Sequence, residues 1–336
     1  MSSSTLLNIF HKLSGVVLTL TFVINYTLIY LTIFHAPNLF GTYRNFIVTF
    51  AVFGVVFSSL EFLIKPILYL NSYSVVIFST GFSILESYSL STLLLSLFTG
   101  FHCSMLSLIS IQFLYRYWSI SSSVLIFEAR RFGYWILGVI FGGFLWAVFT
   151  YNTISCDSSD KILLKYELGK SDDMDIGQCI KLEVKNRDVV GYNLPGLIYL
   201  VVFSVILTIK LFIMMFCGVK MATHVYRRSN FQSSRHHKQH SLFLKSLLVQ
   251  ILSPLLILYL PTFLLSYLPF TNFSTNGIML PVLTVYPFID SILVLNVISE
   301  YKIAMRNVLN RIFWCLGKEK QYDTTPVTMN TLFSAI

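Results

Sequence analysis

Residues Leu90-Ser-Thr-Leu-Leu-Leu-Ser-Leu-Phe-Thr-Gly100-Phe-His-Cys-Ser-Met105 open a run that carries no formal charge until Arg116, where Tyr115-Arg116-Tyr117-Trp118 closes it. The run is longer than the roughly 20 apolar residues that cross a bilayer as a helix. Beyond the arginine the chain turns polar and then basic, from Ser119 to Ser123 and on to Glu128, Arg130 and Arg131. That change marks a lipid boundary followed by a loop. An arginine at such a boundary either snorkels to the headgroups or acts as a switch on the face it reaches.

Composition gives the same class. At 336 residues, 55% hydrophobic and 12% charged, with a mean hydropathy of +0.71, the chain is too apolar for a soluble globule and reads as a membrane protein. Its net charge of +9 is spread over loops between apolar spans. With no isolated basic domain, this points to membrane lipids as partners and away from nucleic acid. The five cysteines show neither a repeated C-x-x-C spacing nor a disulfide-rich framework.

Six further spans are predicted outward from the central one. Residues 1–12 form a short N-terminus without a small-residue cleavage site, so Leu13 to Phe34 is a retained first span rather than a signal peptide. Asn25 lies inside it, too deep for its sequon to be glycosylated, and its amide is expected to bond to a neighbouring helix. Span two is Phe46 to Leu70, kinked by Pro66. Asn71 to Ser89 is too short and broken to span and reads as an outer loop. Span four, Phe132 to Tyr151, carries Gly138, Gly142 and Gly143, which allow close helix approach. Span five, Leu194 to Ile213, places Lys210 near its far end, within snorkelling reach of headgroups. Span six, Ser246 to Leu268, holds Pro254 and Pro261, and span seven, Ile278 to Ile298, holds Pro281, Pro287 and Asp290. Prolines at this depth bend helices and free carbonyls, so Pro254, Pro261 and Pro287 are candidate hinges or static kinks. The expected fold is an all-α, seven-transmembrane bundle over 13–298, followed by a tail at 299–336.

Several polar groups stand out against this background. Glu61 and Lys65 are spaced i to i+4 with the acid first, which predicts an intramembrane ion pair. The polar stretch 152–193 holds Cys156 and Cys179, which can bridge within the loop if it lies outside. Free thiols or a bridge to Cys103 are the alternatives, the latter poor in geometry because Cys103 lies within span three. The loop 220–245 is strongly basic and contains His224, His236, His237 and His240 without cysteine or carboxylate partners. It reads as a headgroup and partner contact, and no metal or cofactor is expected. The tail opens with an amphipathic basic piece at Lys302, Arg306 and Arg311, and Cys315 beside Lys318 and Lys320 is a palmitoylation candidate.

Lys and Arg placement sets the orientation. One face carries Arg44, Arg116, Arg130, Arg131, the 220–245 loop and the tail. The other has Lys12, no Lys or Arg in Asn71 to Ser89 or in Pro269 to Gly277, and the long loop, whose length weakens its vote. The basic face is therefore cytoplasmic and the N-terminus outside, the topology of a G-protein-coupled receptor. Asn272-Phe273-Ser274 is then an exposed sequon in a very short loop.

Particular motifs on these spans carry a resemblance. Gly41-Thr-Tyr43-Arg44-Asn-Phe and Lys65-Pro66 flank span two, and Tyr115-Arg116-Tyr117-Trp118 ends span three. Gln250-Ile-Leu-Ser-Pro254 with Tyr259-Leu-Pro261 lies in span six, and Tyr286-Pro287-Phe-Ile-Asp290 in span seven leads to Ser299-Glu300-Tyr301-Lys302. In this order and spacing they resemble the nematode chemosensory receptors of the Str family (serpentine receptor class r), with the related class j sharing parts of the pattern. Ser291 departs from it, where the family often has a second proline. The resemblance implies a receptor in the cilium membrane of sensory neurons that binds a small odorant and activates a heterotrimeric G protein. It gives Arg116, flanked by Tyr115 and Tyr117, the place of the inner-end switch arginine. Asp290 is a switch candidate reaching towards Gln250, with packing satisfaction of two polar groups as the plain alternative. His102, Tyr259 and Tyr286 are the ligand-pocket candidates.

Other classes fit less well. No Gly-rich phosphate loop, H-E-x-x-H or nucleophile elbow points to an enzyme. A transporter would be expected to show internal repeats. An inverted seven-span ligand-gated channel would place the basic loops outside, against the charge rule.

Overall fold

The computed structural model describes residues 3–34, 41–70, 74–81, 88–120, 129–154, 179–183, 193–229, 248–267, 270, 275–279, 281–297, 301–306 and 310. Six of its helices are long and apolar enough to cross a membrane. These are α1 (Ser3–Phe34), α2 (Gly41–Ile64), α3 (Tyr88–Ile120), α4 (Ala129–Thr153), α5 (Leu194–Ser229) and α6 (Leu248–Tyr267). The seventh span comes in two pieces, α7 (Pro281–Thr284) and α8 (Tyr286–Val297). Pro287 explains the break: it has no N–H for the carbonyl of Leu283, and its ring crowds that turn. The ladder resumes where Ile289 N donates to Val285 O at 3.1 Å.

α3 is the axle of the bundle. Its apolar window is 67% buried inside the protein, against 22% for each of α4, α5 and α6. The outer helices turn aromatic and branched residues outward, such as Tyr134, Phe141 and Phe212, as a lipid-facing surface requires. α4 meets α3 at a glycine seam: a Cβ on Gly143 would stand 2.8 Å from Gly100 O, and one on Gly100 would stand 2.5 Å from Gly143 O. Gly138 and Gly142 have nothing within 4 Å, so only one of the three glycines expected to bring helices together does so. The face turned to α3 is the one bearing Val139, Gly143, Trp146 and Ala147, three or four residues apart. On the far side of the axle, a Cβ on Gly54 of α2 would fall 2.6 Å from Pro287 Cβ of α8. As expected from the sequence, Asn25 of α1 reaches a neighbouring helix: its Oδ1 accepts from Ser291 Oγ at 2.7 Å.

A small antiparallel sheet caps one end of the bundle, built from stretches expected to be loop or helix. Its strands are β1 (Pro66–Leu70), β2 (Ser74–Ser79), β3 (Cys179–Glu183) and β4 (Thr275–Met279), in the order β3-β2-β1-β4. The prediction that α2 runs to Leu70 fails for a local reason. Proline disfavours helix in the residue before it, and Lys65 adopts φ 46°, so the chain turns out of the helix and leaves as a strand. The free carbonyls at the end of α2 are taken up by β2 and its successor: Ser79 Oγ donates to Ile64 O at 2.7 Å and Thr80 Oγ1 to Lys65 O at 3.0 Å. Gly81 N also donates to Ile64 O. A Cβ on Gly81 would stand 2.1 Å from Leu63 O, so the approach requires glycine.

Register places one apolar face of the sheet over the bundle. Leu68 stands opposite Ile77, and Val75 opposite Leu182. Directly paired residues project to the same side of a sheet. Two further predicted boundaries change. α5 continues to Ser229, so Lys220 and His224 lie on a helix rather than in a loop, and span seven begins after β4, not at Ile278.

Candidate functional site

Beneath the sheet, α3, α4, α5, α6 and α7 line a partly open cavity of about 130 Å³. Leu68, Val75, Ile77 and Leu182 of the sheet form its roof, and Phe98, Trp146 and Phe203 contribute aromatic walls. Among the described residues, the lining contains no Lys, Arg, Asp or Glu. Its polar groups are few: Thr99 and His102 on α3, Tyr199 on α5, and Thr262 and Ser266 on α6, apart from the Trp146 indole. His102 is 7% exposed, and its Nε2 lies 3.1 Å from Thr262 Oγ1. An apolar pocket with a few placed polar groups is the usual form of a small-molecule site.

Of the three ligand-pocket candidates, His102 lines this cavity and Tyr259 and Tyr286 do not. Tyr259 and Tyr286 lie deeper, both buried. The Tyr259 hydroxyl lies 3.3 Å from Ser110 Oγ, joining α6 to α3. Tyr286 OH donates to Asp290 Oδ1 at 3.2 Å, and its ring packs edge-on against Phe50 of α2. Large aromatic side chains at mid-depth filled the packed interior below the cavity, which spacing alone does not distinguish from the cavity wall.

Arg116 sits fourteen residues beyond His102 on α3, about 21 Å along the axis at 1.5 Å per residue. Its Nη1 donates to Gln250 Oε1 of α6 and its Nη2 to Tyr43 OH of α2 at 2.8 Å. The guanidinium also lies over the rings of Tyr43 and Phe113, 5.3 and 5.6 Å from their centroids. One side chain thus ties α2, α3 and α6 together. The flanking tyrosines brace it: Tyr115 stacks on Tyr43 and packs against Phe46, and Tyr117 meets Phe216 of α5 edge-on. The expected reach of Asp290 to Gln250 is not made. Gln250 is bonded to Arg116, and Asp290 to the tyrosine one turn before it on α8.

The three hinge candidates mark departures from regular helix. Within α6, Leu255–Tyr259 is π-helical, with Pro254 at its start and Leu260 N donating to Leu255 O, five residues back. Pro261 cannot donate to the carbonyl of Ile257, so the α ladder is already cut on the other side. Pro287 sits at the break between α7 and α8.

The predicted Glu61–Lys65 ion pair is replaced by other contacts. Ser14 Oγ of α1 donates to Glu61 Oε2 at 2.8 Å, and Lys65 Nζ lies 5.7 Å from the Phe62 ring centroid. The positive φ at Lys65 takes its side chain off the helix face that the i to i+4 spacing assumes. Lys210 is a second correction. It does not snorkel: its Nζ donates to Cys103 O at 3.0 Å and lies 3.0 Å from Cys103 Sγ. Because α5 runs on to Ser229, Lys210 falls mid-helix and its ammonium finds partners inside the bundle. Cys179 is disulfide-bonded, and Cys103 and Cys217 are free. Cys156, Cys315, the Asn272 sequon and the histidines at 236, 237 and 240 lie outside the described residues.

Tyr43 and Thr262 were not singled out as site residues from the sequence. Tyr43 stood in one of the motifs carrying the resemblance, which was the signal available for it. Thr262 had none, being one hydroxyl among many.

The profile described as serpentine type 7TM GPCR chemoreceptor Str matches residues 10–306. The chain is 31% identical over 330 residues to the G-protein coupled receptor str-33 of Caenorhabditis elegans, covering 93% of each chain. It is 23% identical over 335 residues to serpentine receptor class r-10 of the same species, and 21% over 333 residues to that of Caenorhabditis briggsae. Both alignments cover 95% of this chain and 94% of the relative. In structure it resembles squid rhodopsin with a TM-score of 0.59 at 10% identity, over 95% of this chain and 89% of that one.

Proposed function

Because this chain belongs to the Str family of serpentine seven-transmembrane GPCR chemoreceptors, we propose that it binds a small odorant in the cavity under the sheet and activates a heterotrimeric G protein at the Arg116 end. The observation that carries this reading is the double role of α6. Thr262, Leu265 and Ser266 line the cavity, while Gln250 holds Arg116, and the π-helical turn Leu255–Tyr259 lies between them. A ligand shifts a resting equilibrium only by binding the active arrangement better. A molecule that prefers a displaced α6 therefore withdraws Gln250 from Arg116 and frees the guanidinium for a partner. π-helical turns and missing ladder bonds are the places where a helix bends at low cost.

The basic face, with Arg116, is cytoplasmic in this reading, the N-terminus is outside, and the receptor works in the cilium membrane of sensory neurons. Its multi-pass membrane character follows from the family and the apolar helices, and the family is one of receptors rather than enzymes.

Calcium imaging of cells expressing the chain with a promiscuous G-protein α subunit tests the proposal across a panel of volatile and secreted small molecules. Wild type and Arg116→Ala are compared at matched surface staining. A response lost with Arg116→Ala supports coupling through this end. A response that survives the substitution and persists without G protein sinks it and favours an inverted seven-span channel.

A further inference from the structure

The last turn of α1 is gripped by two other parts of the chain at the level where its apolar span ends, at Phe34. The Tyr301 hydroxyl lies 2.7 Å from Thr32 Oγ1, and Arg44 Nη2 of α2 donates to Ile33 O at 3.3 Å. Residues 301–306 are helical, and the two sides of this short segment differ. Tyr301, Ala304 and Met305 pack into a cluster with Leu28 and Leu31 of α1 and Ile47 and Ala51 of α2. With 3.6 residues per turn, Lys302, Arg306 and Ile303 fall together on the opposite side. All three are exposed, Ile303 by 60%. Ile33 and Phe34 expose further apolar surface at the end of α1, with Phe34 against the Tyr30 ring. The surrounding sequence keeps one sign of charge: from 299 to 320, five Lys and Arg stand against two Glu.

We infer that this surface binds an anionic phospholipid of the inner leaflet, with Lys302 and Arg306 meeting the headgroup phosphate and Ile303 entering the acyl boundary. Arg44 adds a positive charge at the same depth, and Ile33 and Phe34 face the chains. A lipid presents charge directly above hydrocarbon, and the surface repeats that order, with cations beside exposed apolar side chains where the first span ends. A face built for an acidic protein would gain nothing from leaving Ile303 in water. The bound lipid presses residues 301–306 against α1. Tyr43, which accepts from Arg116, packs on the same cluster as Tyr301, so the headgroup site and the arginine clamp share one wall. The inference rests on the reading of this end of the bundle as cytoplasmic, and not on the cavity or its ligand.

Hydrogen exchange of the 301–306 backbone amides reads the contact locally. The purified full chain is compared in nanodiscs of phosphatidylcholine alone and of phosphatidylcholine with phosphatidylserine. One Lys or Arg near an anionic surface is worth about fivefold in affinity, so the amides should exchange at least about fivefold more slowly in the anionic discs. Salt at about 1 M, where charges are screened within about 3 Å, should remove the difference. Lys302→Gln combined with Arg306→Gln should also remove it, and because both side chains are exposed the melting temperature in phosphatidylcholine should stay at the wild-type value. Ile303→Gln should reduce the difference with the charges intact. Equal exchange in the two lipids overturns the inference and leaves the basic face to an acidic protein. A difference that persists in the double variant places the lipid elsewhere and overturns it too. Slowing by soluble glycerophosphoserine in phosphatidylcholine discs would make the ligand a free phosphate ester rather than a membrane lipid. Both leaflets of a nanodisc have the same composition, so these outcomes are independent of orientation, which surface staining of an N-terminal epitope decides separately.

Discussion

Arg116 shows how a single side chain can tie three helices together. It donates to Tyr43 and Gln250, residues 73 and 134 positions away in sequence, and hydrogen bonds to a charged donor are worth about 1.5–3 kcal/mol each. Under the proposed mechanism the Gln250 contact exists only while α6 is in place. Gln250→Leu should therefore raise ligand-free signalling about tenfold or more, measured as basal nucleotide exchange on the G protein in membranes. Basal exchange equal to wild type at equal expression would mean that the contact does not hold the resting state. The arginine itself was legible in the sequence as the first charge after a long apolar run. Its partners were not, because a hydrogen bond between distant residues leaves no local pattern. Lys210 carries the same lesson with the opposite outcome: a lysine near the expected end of a span reads as a snorkelling anchor, and it turned inward because the helix did not end there.

At the scale of elements, adjacent glycines of α4 have opposite meanings. Gly143 faces α3 so closely that an added Cβ meets backbone at 2.8 Å, whereas Gly142 faces open space. Gly143→Ala should destabilise the bundle by about 1–3 kcal/mol, the usual cost of overpacking. Gly142→Ala should leave it unchanged or stabilise it by up to about 1 kcal/mol, since alanine favours helix over glycine. Thermal unfolding of the two purified variants separates them, and equal melting temperatures would refute the seam. The sheet offers a second case. β3 begins at the disulfide-bonded Cys179 and pairs with β2, whose Val75 and Ile77 roof the cavity. Cys179→Ser should lower thermal stability by about 2–4 kcal/mol and weaken the response to every ligand together, read as a parallel shift of dose-response curves at matched surface expression. A loss confined to one ligand would place the cysteine in recognition rather than in holding the roof. The strands escaped the sequence reading because they are short. Five or six apolar residues beside a predicted span read as its continuation or as loop, and only pairing with distant strands gives them structure.

For the whole molecule, orientation is the prediction that matters most. The positive-inside rule puts the sheet end and the N-terminus outside. An epitope placed before Met1 should therefore stain on intact cells at the level seen after permeabilisation. Staining that requires permeabilisation would reverse the molecule, and with it the assignment of Arg116 to the cytoplasm. In the expected orientation the cavity lies towards the outside beneath its roof, and the Arg116 cluster lies at the inner end, joined through α3 and α6.

The sequence by itself determined that the chain is a membrane bundle, the approximate place of each span and the arginine that closes α3. These are legible because a helix in hydrocarbon must satisfy its own backbone, so that each span is an unbroken local run of apolar residues. It also carried the family motifs, including the prolines that interrupt α6 and the seventh span. Only the tertiary structure decided that the end of the predicted second span becomes a strand of a four-stranded roof, that His102 faces a cavity while Tyr259 and Tyr286 pack beneath it, and that Arg116 is tied to Tyr43 and Gln250. Each of these depends on pairing between residues far apart in the chain, and pairings at that range are fixed by packing rather than by neighbouring sequence.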